Sequence, residues 1–364
     1  MLNLTQKRVR SPEQREEMKK VLDSYGIYEL FHFTCVDNLE LIAKCGGIWS
    51  KKKLEKARLL DEVITGGNEI SKKNDIQCKN WDKVSLSFCY GHPMAYNILE
   101  RKYPGRPPQS AHICYLVIDQ EVALWDGVLF APTNATKSGT QPRGGLEGLN
   151  SVNFELIRKY LRGERVDKHK WEDMKKAIQA ECLVPDEIPL EYIKFIVFIS
   201  EASKKEGKRL WESGKSQNPN YPQHQPEFKV NEWYFYNLLR KYYNNLPFSL
   251  VDDFVLTPEN VNEEIVNSKK LNEFEDKREF SKSQHSEITL LVELYAKSGS
   301  KARVEWRDEK QGEMVENSTE FFDKEGGWWL WSKLDISRLN EGDYSVEFYL
   351  DDVRWFKASF KIKK

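Results

Sequence analysis

The sequence of 364 residues is 40% hydrophobic and 12% aromatic, which is enough for packed cores and long enough for two or three domains. No run approaches the roughly 18 apolar residues of a membrane helix, and the first residues lack the apolar segment of a signal peptide. The six cysteines form no C-x-x-C pair, so they fit reduced thiols rather than disulfides or a zinc site. These features predict a cytoplasmic protein with no membrane partner.

The formal charge of −1 is unevenly distributed along the chain. Residues 246–364 contain 18 Lys and Arg against 25 Asp and Glu, a net charge of −7, which leaves +6 for residues 1–245. A basic front part is suited to a polyanionic partner, and an acidic back part would repel one. Scattered solvated charge without a partner is the alternative reading.

The first fifty or so residues predict a helix, a strand and a second helix. Ser11 followed by Pro12 is typical of a helix N-terminus, and Gly26 ends that helix. The apolar run 28–34 then predicts a strand. Asp37 opens a short amphipathic helix as the first residue of a capping box.

The middle of the chain mixes strand and helix patterns. Apolar runs of strand length lie at 84–90, 113–118, 180–184 and 193–199. Helical patterns lie at 93–103, 171–178 and 232–245. Residues 201–226 are polar and loop-like, whereas 126–150 are rich in Gly, Thr, Pro and Asn and predict a functional or mobile segment.

Residues 285–364 predict an all-β unit. Its alternating segments, separated by Gly-containing turns, are 287–296, 301–306, 328–334, 344–350 and 354–363. Tyr344 resembles the tyrosine corner of immunoglobulin-like sandwiches. Trp328, Trp329 and Trp331 put large apolar groups on both faces of one strand, either for the core or for docking a partner.

Two familiar motifs are excluded. Gly214-Lys215-Ser216 looks like the end of a phosphate-binding loop, but Arg209 stands where the first glycine is needed and no apolar strand precedes it. No H-E-x-x-H is present, and the six histidines lie far apart in the sequence. We therefore expect no metal site.

Three other segments place polar residues at the ends or starts of strands. They are Phe31-His32-Phe33-Thr34-x-x-x-Asn38-Leu39, Leu86-Ser87-Phe88-Cys89-Tyr90-Gly91-His92-Pro93-Met94-Ala95-Tyr96 and Gln179-Ala180-Glu181-Cys182-Leu183-Val184. In this order they resemble the DarT family of nucleic-acid ADP-ribosyltransferase toxins, within the PARP-like class. Leu129-Phe-Ala-Pro-Thr-Asn134-Ala and Val230-Asn-Glu-Trp233-Tyr-Phe resemble two further segments of that family.

The resemblance covers about residues 26–236 and implies an α+β fold. The expected architecture is a PARP-like ADP-ribosyltransferase split-sheet domain followed by a small all-β immunoglobulin-like sandwich. The expected parts are an N-terminal helix (1–25), an ADP-ribosyltransferase domain (26–245), an acidic connector (246–284) and a β-sandwich accessory domain (285–364).

The resemblance also implies that NAD is the ADP-ribose donor. It assigns NAD binding to His32, Phe33 and Thr34, support of the adjoining turn to Asn38, and stacking on nicotinamide to Tyr96. From the residues alone, His32 and Tyr96 also fit core positions with satisfied polar ends, and Asn38 also fits a simple turn cap.

Glu181 matches the family's catalytic glutamate, which favours the oxocarbenium-like state of the transferred ribose. A carboxylate that opens an apolar strand is costly unless it is paired or functional. The arginine that the family carries in a P-R-S-P-M stretch is missing here, and His92 is the nearest substitute as a base. In that role His92 predicts a rate that rises through about pH 6–7; the alternative is a cap before Pro93.

The family's substrate-reading loop corresponds to residues 126–176. Asn134, Lys137 and Arg143 are the candidate contacts there, because Lys and Arg bind phosphates and the nearby glycines allow close approach. A base must be unstacked to react, so single-stranded DNA or RNA is the expected partner. The missing arginine leaves the family's thymine specificity open.

The predicted function is mono-ADP-ribosylation of a nucleobase by a toxin of a toxin–antitoxin or phage-defence system. Such an activity requires an antitoxin or chaperone as a second partner. Two alternatives remain from the sequence: an ADP-ribosyltransferase that modifies protein, and a catalytically silent nucleic-acid-binding module on the same fold.

Overall fold

A computed structural model describes residues 10–64, 80–92, 95, 112–164, 166–235 and 248–364. The chain divides into two units, the first made of residues 1–106, 113–199 and 208–243 and the second of residues 107–112, 200–207 and 244–364. Tyr96, nearly all of the predicted helix 93–103 and most of the predicted helix 232–245 lie outside the described residues.

The first unit contains short helices and one large sheet. Its helices are α1 (Pro12–Ser24), α2 (Asn38–Cys45), α3 (Lys51–Lys56), α4 (Gly145–Asn150), α5 (Phe154–Leu161) and α6 (Trp171–Ala177), and it holds the end of α7 (Glu201–Ser216). Its strands are β1 (Glu29–Cys35), β2 (Gly47–Trp49), β3 (Lys83–Ser87), β4 (Ile113–Asp119), β5 (Leu129–Ala131), β6 (Arg143–Gly144), β7 (Glu181–Pro185), β8 (Glu187–Pro189), β9 (Ile193–Phe198) and β10 (Glu227–Val230).

The N-cap residues of α1 and α2 make different hydrogen bonds. The Ser11 hydroxyl accepts the backbone N–H of Gln14 at 3.3 Å, which confirms the predicted N-cap of α1. Asp37 occupies the N-cap position of α2, but its carboxylate makes no capping hydrogen bond and instead accepts from the Cys35 thiol at 3.3 Å. The capping-box prediction at Asp37 is therefore wrong.

The large sheet has the strand order β10-β9-β4-β1-β3-β7-β5-β6. β1 pairs with β4 along its whole length, from Glu29 to Cys35. β1 and β3, in contrast, form a ladder of one pair, Phe31 with Ser87. From Phe31 toward the end of β1, these two described strands are therefore not paired, and the sheet is open there.

The pleat of this sheet separates two faces. Phe31, Ser87, Glu181 and Ala131 are directly opposite one another across neighbouring strands, so their side chains share one face, which we call the Glu181 face. The other face carries the residues of the main core. Those residues include Leu30, Leu86, Leu116, Phe130, Cys182 and Val184.

Residues 201–226 were predicted as a loop, but Glu201–Ser216 form the helix α7. The prediction is wrong for this segment because three of its buried positions hold Ala202, Ser203 and Glu206, which give no apolar periodicity; residues 217–226 form no helix or strand, as predicted.

Gly214, the first residue of the rejected phosphate-loop-like motif, has a packing role. It lies in α7 directly against the backbone of α2, where a Cβ atom would collide with the carbonyl oxygen of Glu40. The Ser213 hydroxyl also donates to Glu40 Oε1 at 2.7 Å. The glycine therefore serves close helix packing rather than phosphate binding.

The second unit is rich in strands. Its elements include α8 (Glu263–Ser268), β11 (Leu250–Thr257), β12 (Glu279–Ser281), β13 (Glu287–Ala296), β14 (Lys301–Asp308), β15 (Met314–Phe321), β16 (Gly326–Asp335), β17 (Gly342–Leu350) and β18 (Val353–Lys363). The strands form a three-stranded sheet, β11-β13-β16, and a five-stranded sheet, β12-β18-β17-β14-β15.

The two sheets of this unit face each other. The buried Trp306 indole on β14 donates to the Ser332 hydroxyl on β16 at 3.0 Å, and the rings of Phe254 and Phe356 stack at 3.6 Å. The Tyr344 hydroxyl donates to the Asn340 carbonyl at 3.1 Å, as the tyrosine-corner pattern predicts.

The second unit differs from expectation in two places. The segment assigned to an acidic connector contains β11, which pairs with β13, so that part is sheet rather than linker. β15 was not predicted, because almost all of its side chains are exposed at a sheet edge and show no alternation.

Two further features of the described residues complete the description. Among the helices of the described residues, none is long and apolar enough to cross a bilayer. The five cysteines in that part of the chain, at positions 35, 45, 89, 114 and 182, are free thiols.

Candidate active site

Glu181 is the half-buried first residue of β7. Its Oε2 atom accepts a hydrogen bond of 2.8 Å from the Ser85 hydroxyl on β3. The Ser85 carbonyl lies 3.0 Å from Nδ1 of His32 on β1. One residue thus connects the carboxylate and the imidazole across three neighbouring strands.

This contact fixes the tautomer of the neutral His32 imidazole. A carbonyl oxygen only accepts hydrogen bonds, so Nδ1 carries the proton. Burial lowers the pKa of His32, the Ser85 carbonyl opposes that shift, and the positive charge of Lys51 adds to it. The neutral imidazole therefore presents Nε2 as an acceptor for a ligand hydroxyl.

Thr34 and Asn38 form a second, braced group. The Asn38 amide donates to the Thr34 hydroxyl at 2.9 Å and to the Ile64 carbonyl at 2.8 Å, and its oxygen accepts the Ile64 N–H at 2.8 Å. Asn38 thereby ties the loop at Ile64 to the end of β1. The sequence analysis predicted that Asn38 supports the turn after β1.

A cavity of about 70 Å³ adjoins this group. His32, Thr34 and Asn38 line it together with Trp49 and apolar side chains. The Trp49 indole nitrogen is buried and has no hydrogen-bond partner among the described residues.

Phe33 points to the face opposite His32 and Thr34, because side chains alternate along a strand. Its ring stacks on the His92 imidazole, with 5.6 Å between centroids, and meets Tyr115 edge-on. Phe33 shares its face with Phe31, so Phe33 and His92 belong to the Glu181 side of the sheet. The β1 backbone at this point borders the opening toward β3.

His92 is 4% exposed, and burial lowers its pKa to about 4. Its backbone N–H donates to the Tyr115 hydroxyl at 3.2 Å. At neutral pH the imidazole is uncharged. A base at this position would titrate near pH 4, so the window of pH 6–7 expected from the sequence does not apply.

The turn that carries His92 is held by hydrogen bonds to Tyr234 and from Tyr160. The backbone N–H of Gly91 donates to the Tyr234 carbonyl at 2.8 Å, and the Tyr160 hydroxyl donates to the Gly91 carbonyl at 2.6 Å. The rings of Tyr90 and Tyr234 stack at 4.3 Å. Tyr234 lies in the Val230–Phe235 segment that the sequence singled out.

The substrate-loop candidates lie on the β5 side of Glu181. Asn134 accepts the N–H and the hydroxyl of Thr136 on its Oδ1 atom, at 2.9 and 2.7 Å. Lys137 is exposed in the turn that follows. Arg143 begins β6, opposite Phe130, and its guanidinium pairs with Glu147 at 2.6 Å.

The structure thus brings several of the predicted site residues into contact. His32 and Glu181 meet through Ser85, Phe33 meets His92, and Thr34 meets Asn38. Ser85 was missed in the sequence analysis. The alternation of Lys83-Val-Ser-Leu-Ser is typical of a strand, but only the pairing of β3 with β7 shows that Ser85 lies beside Glu181.

The model of the DarT family, described as single-stranded DNA thymidine ADP-ribosyltransferase, matches residues 31–236. The matched segment spans more than half of the chain and contains His32, Ser85, His92 and Glu181. No protein with a curated description matches the chain.

Solved structures similar to the chain have low sequence identity to it. The Thermus sp. 2.9 DarT in complex with ADP-ribosylated ssDNA is 18% identical, with a TM-score of 0.44, over 58% of this chain and 97% of that one. The same protein in complex with NAD+ is 19% identical, with a TM-score of 0.42, over 58% and 98%. The Thermosipho africanus DarTG in complex with ADP-ribose is 20% identical, with a TM-score of 0.41, over 57% and 51%.

Proposed function

The chain belongs to the DarT family of single-stranded DNA thymidine ADP-ribosyltransferases, and we propose that it transfers ADP-ribose from NAD to a thymidine base in single-stranded DNA. It is an NAD-dependent ADP-ribosyltransferase, with NAD as the ADP-ribose donor. The observation that carries the proposal for this chain is the hydrogen-bonded series His32–Ser85–Glu181 within the matched segment.

The donor side of the reaction is assigned to β1, β3 and β7. His32 accepts a ribose hydroxyl on Nε2, and the β1 backbone at Phe33 borders the opening that receives the nicotinamide amide. Thr34, braced by Asn38, closes the end of β1. The cavity beside them, lined by His32, Thr34 and Asn38, supports a ligand at this place.

Transfer breaks the bond between nicotinamide and the ribose C1′ atom and forms a bond from a base nitrogen to C1′. Positive charge develops on the ribose, and the Glu181 carboxylate, oriented by Ser85, stabilises it. Nicotinamide leaves as a neutral molecule. The proton of the base nitrogen passes to a base, which we assign to the neutral imidazole of His92 on the Glu181 face.

The acceptor strand is assigned to the β5–β6 side. Lys137 and Arg143 are exposed cations there and fit phosphates of a single strand, while Asn134 is fixed in its turn by Thr136. Single-stranded RNA is the second candidate acceptor, and the labelling experiment below separates the two.

The biological setting is proposed as that of a toxin in the cytoplasm, in a toxin–antitoxin or phage-defence system, with an antitoxin or chaperone as partner. We assign control to the second unit and class its two facing sheets as an immunoglobulin-like sandwich. The support is the tyrosine corner at Tyr344 and the exposed aromatic rings of Trp331 and Phe321, which suit partner contacts.

A labelling experiment tests the function. The full chain and its Glu181→Gln variant are incubated with labelled NAD and one polymer at a time: thymidine-containing single-stranded DNA, the same strand without thymidine, RNA, or cell protein. We expect label on the thymidine-containing DNA alone, and only with the unaltered chain. Label on RNA or on protein instead would overturn the proposed acceptor, and no label on any polymer would favour a silent binding module.

A further inference from the structure

Thr133 carries a polar atom without a partner beside the candidate active site. Its Oγ1 atom is buried and makes no hydrogen bond within the described part of the chain. A buried hydroxyl without a partner destabilises a fold, and native proteins contain few of them. Such a group is expected where a ligand completes the hydrogen bond.

The position of Thr133 relative to Glu181 follows from the sheet. Thr133 comes two residues after Ala131, which lies directly opposite Glu181 in the β5–β7 ladder. Ala135 is buried and packs with Ala131 and Leu183, two residues of the Glu181 face. The loop therefore turns back over that face beside Glu181.

The loop that carries Thr133 is held in one shape. Asn134 accepts both the backbone N–H and the hydroxyl of Thr136, and the Lys137 N–H donates to the Asn134 carbonyl at 3.1 Å. Ala135 is anchored in its small apolar cluster. The backbone that carries Thr133 is thus held in one shape before a ligand binds.

The strand order assigns a side of the reaction to this hydroxyl. Ser85 and His32 lie on β3 and β1, on one side of the Glu181 strand, and Thr133 follows β5 on the other side. In a direct displacement at the ribose carbon, the acceptor enters opposite the leaving group. With nicotinamide on the β1–β3 side, the acceptor enters from the side of β5.

We infer that Thr133 is an acceptor-recognition residue whose hydroxyl hydrogen-bonds the polar edge of the acceptor base. The inference rests on the proposed function and adds a residue to its acceptor side. It predicts that removal of the hydroxyl weakens recognition of the oligonucleotide and leaves the affinity for NAD almost unchanged.

The test uses the full chain with Thr133→Val, which keeps the shape and removes the hydroxyl, and Thr133→Ser, which keeps the hydroxyl. Thr140→Val, in the same loop, is the matched control. Transfer from labelled NAD to a single-stranded thymidine-containing oligonucleotide is measured over a range of each substrate. For Thr133→Val, the KM for the oligonucleotide is expected to rise about fivefold to tenfold, and the KM for NAD to stay within about twofold.

Thr133→Ser should restore the oligonucleotide KM to within about threefold of the unaltered chain, and Thr140→Val should not change it. The melting temperature of Thr133→Val should not fall, because a methyl group replaces a buried hydroxyl that has no partner. An unchanged oligonucleotide KM in Thr133→Val, or a parallel rise in both KM values with a lower melting temperature, would overturn the inference. If the unaltered chain labels no oligonucleotide, the proposed function fails instead.

Discussion

The Ser85 hydroxyl donates a hydrogen bond of 2.8 Å to the Glu181 carboxylate. The backbone carbonyl of the same serine accepts from His32 at 3.0 Å. The side chain of Ser85 therefore orients the carboxylate, while its backbone sets the tautomer of the imidazole. These two functions are separable, because a substitution at position 85 removes only the first.

Replacing Ser85 with Ala is expected to lower kcat about tenfold with little change in the KM for NAD. The carboxylate loses one orienting hydrogen bond, and the His32 contact to the backbone carbonyl persists. Ser85→Thr keeps a hydroxyl at an exposed strand position, where β-branched residues fit well, and serves as the control. Equal kcat values for Ser85→Ala and the unaltered chain would show that Glu181 needs no orientation from β3.

Glu181→Gln is expected to lower transfer at least about 1000-fold, because the ribose cation loses the negative charge that stabilises it. The amide has the same shape as the carboxylate and still accepts from Ser85. Binding of NAD, measured by calorimetry, should therefore stay within a few-fold. Transfer within tenfold of the original rate would mean that the charge of Glu181 is not the main electrostatic contribution.

The depressed pKa of His92 predicts two pH effects. As a base, His92 must be neutral, so its contribution to the transfer rate should rise through about pH 4 and stay level from pH 5 to 8. In the unfolded chain this imidazole is protonated below about pH 6.5. In the folded chain it is protonated only below about pH 4.

The free energy of unfolding should consequently fall as the pH drops from about 6.5 to 4. His92→Phe keeps a ring against Phe33 and should remove this part of the pH dependence. Denaturant titrations of both proteins across the range measure it. A profile for His92→Phe that matches the unaltered chain would show that His92 is charged in the folded state at these pH values.

Much of the first unit could be predicted because its strands are apolar and its turns carry Gly or Asp. The strands at 113–118, 180–184 and 193–199 are found in the structure with small shifts at their ends. Helix α7 was not predictable in the same way, since Ala202, Ser203 and Glu206 occupy buried positions with small or polar groups. Their burial follows from tertiary packing, which local hydropathy does not encode.

The site shows the same limit at the level of single residues. His32 was assigned through the family resemblance, and Glu181 through the same resemblance and because a carboxylate that opens an apolar strand is costly unless it is paired or functional. Ser85 and Thr133 were not assigned, because a serine or threonine in or after a strand is ordinary and its partner is known only once the strands are paired. The hydrogen bond of Ser85 to Glu181 depends on the register of β3 against β7.

The ion pair between Arg143 and Glu147 leads to the last prediction. Both side chains are largely exposed, and they stand four residues apart, so the pair contributes little stability. When a phosphate binds Arg143, the Glu147 charge repels it. Glu147→Gln should therefore lower the KM for a single-stranded oligonucleotide about twofold at low salt. A change of this size corresponds to the interaction free energy of an exposed ion pair.

Lys137 provides the contrast, since it is exposed in the same acceptor region. Lys137→Ala should reduce the slope of log KM against log salt by about 0.7, the loss of one phosphate contact on a single strand. Combining Arg143→Ala with Glu147→Gln should cancel the gain from Glu147→Gln alone, because the cation that benefits is gone. If Glu147→Gln leaves the KM unchanged, or if its gain survives in the double variant, Arg143 does not contact the acceptor strand.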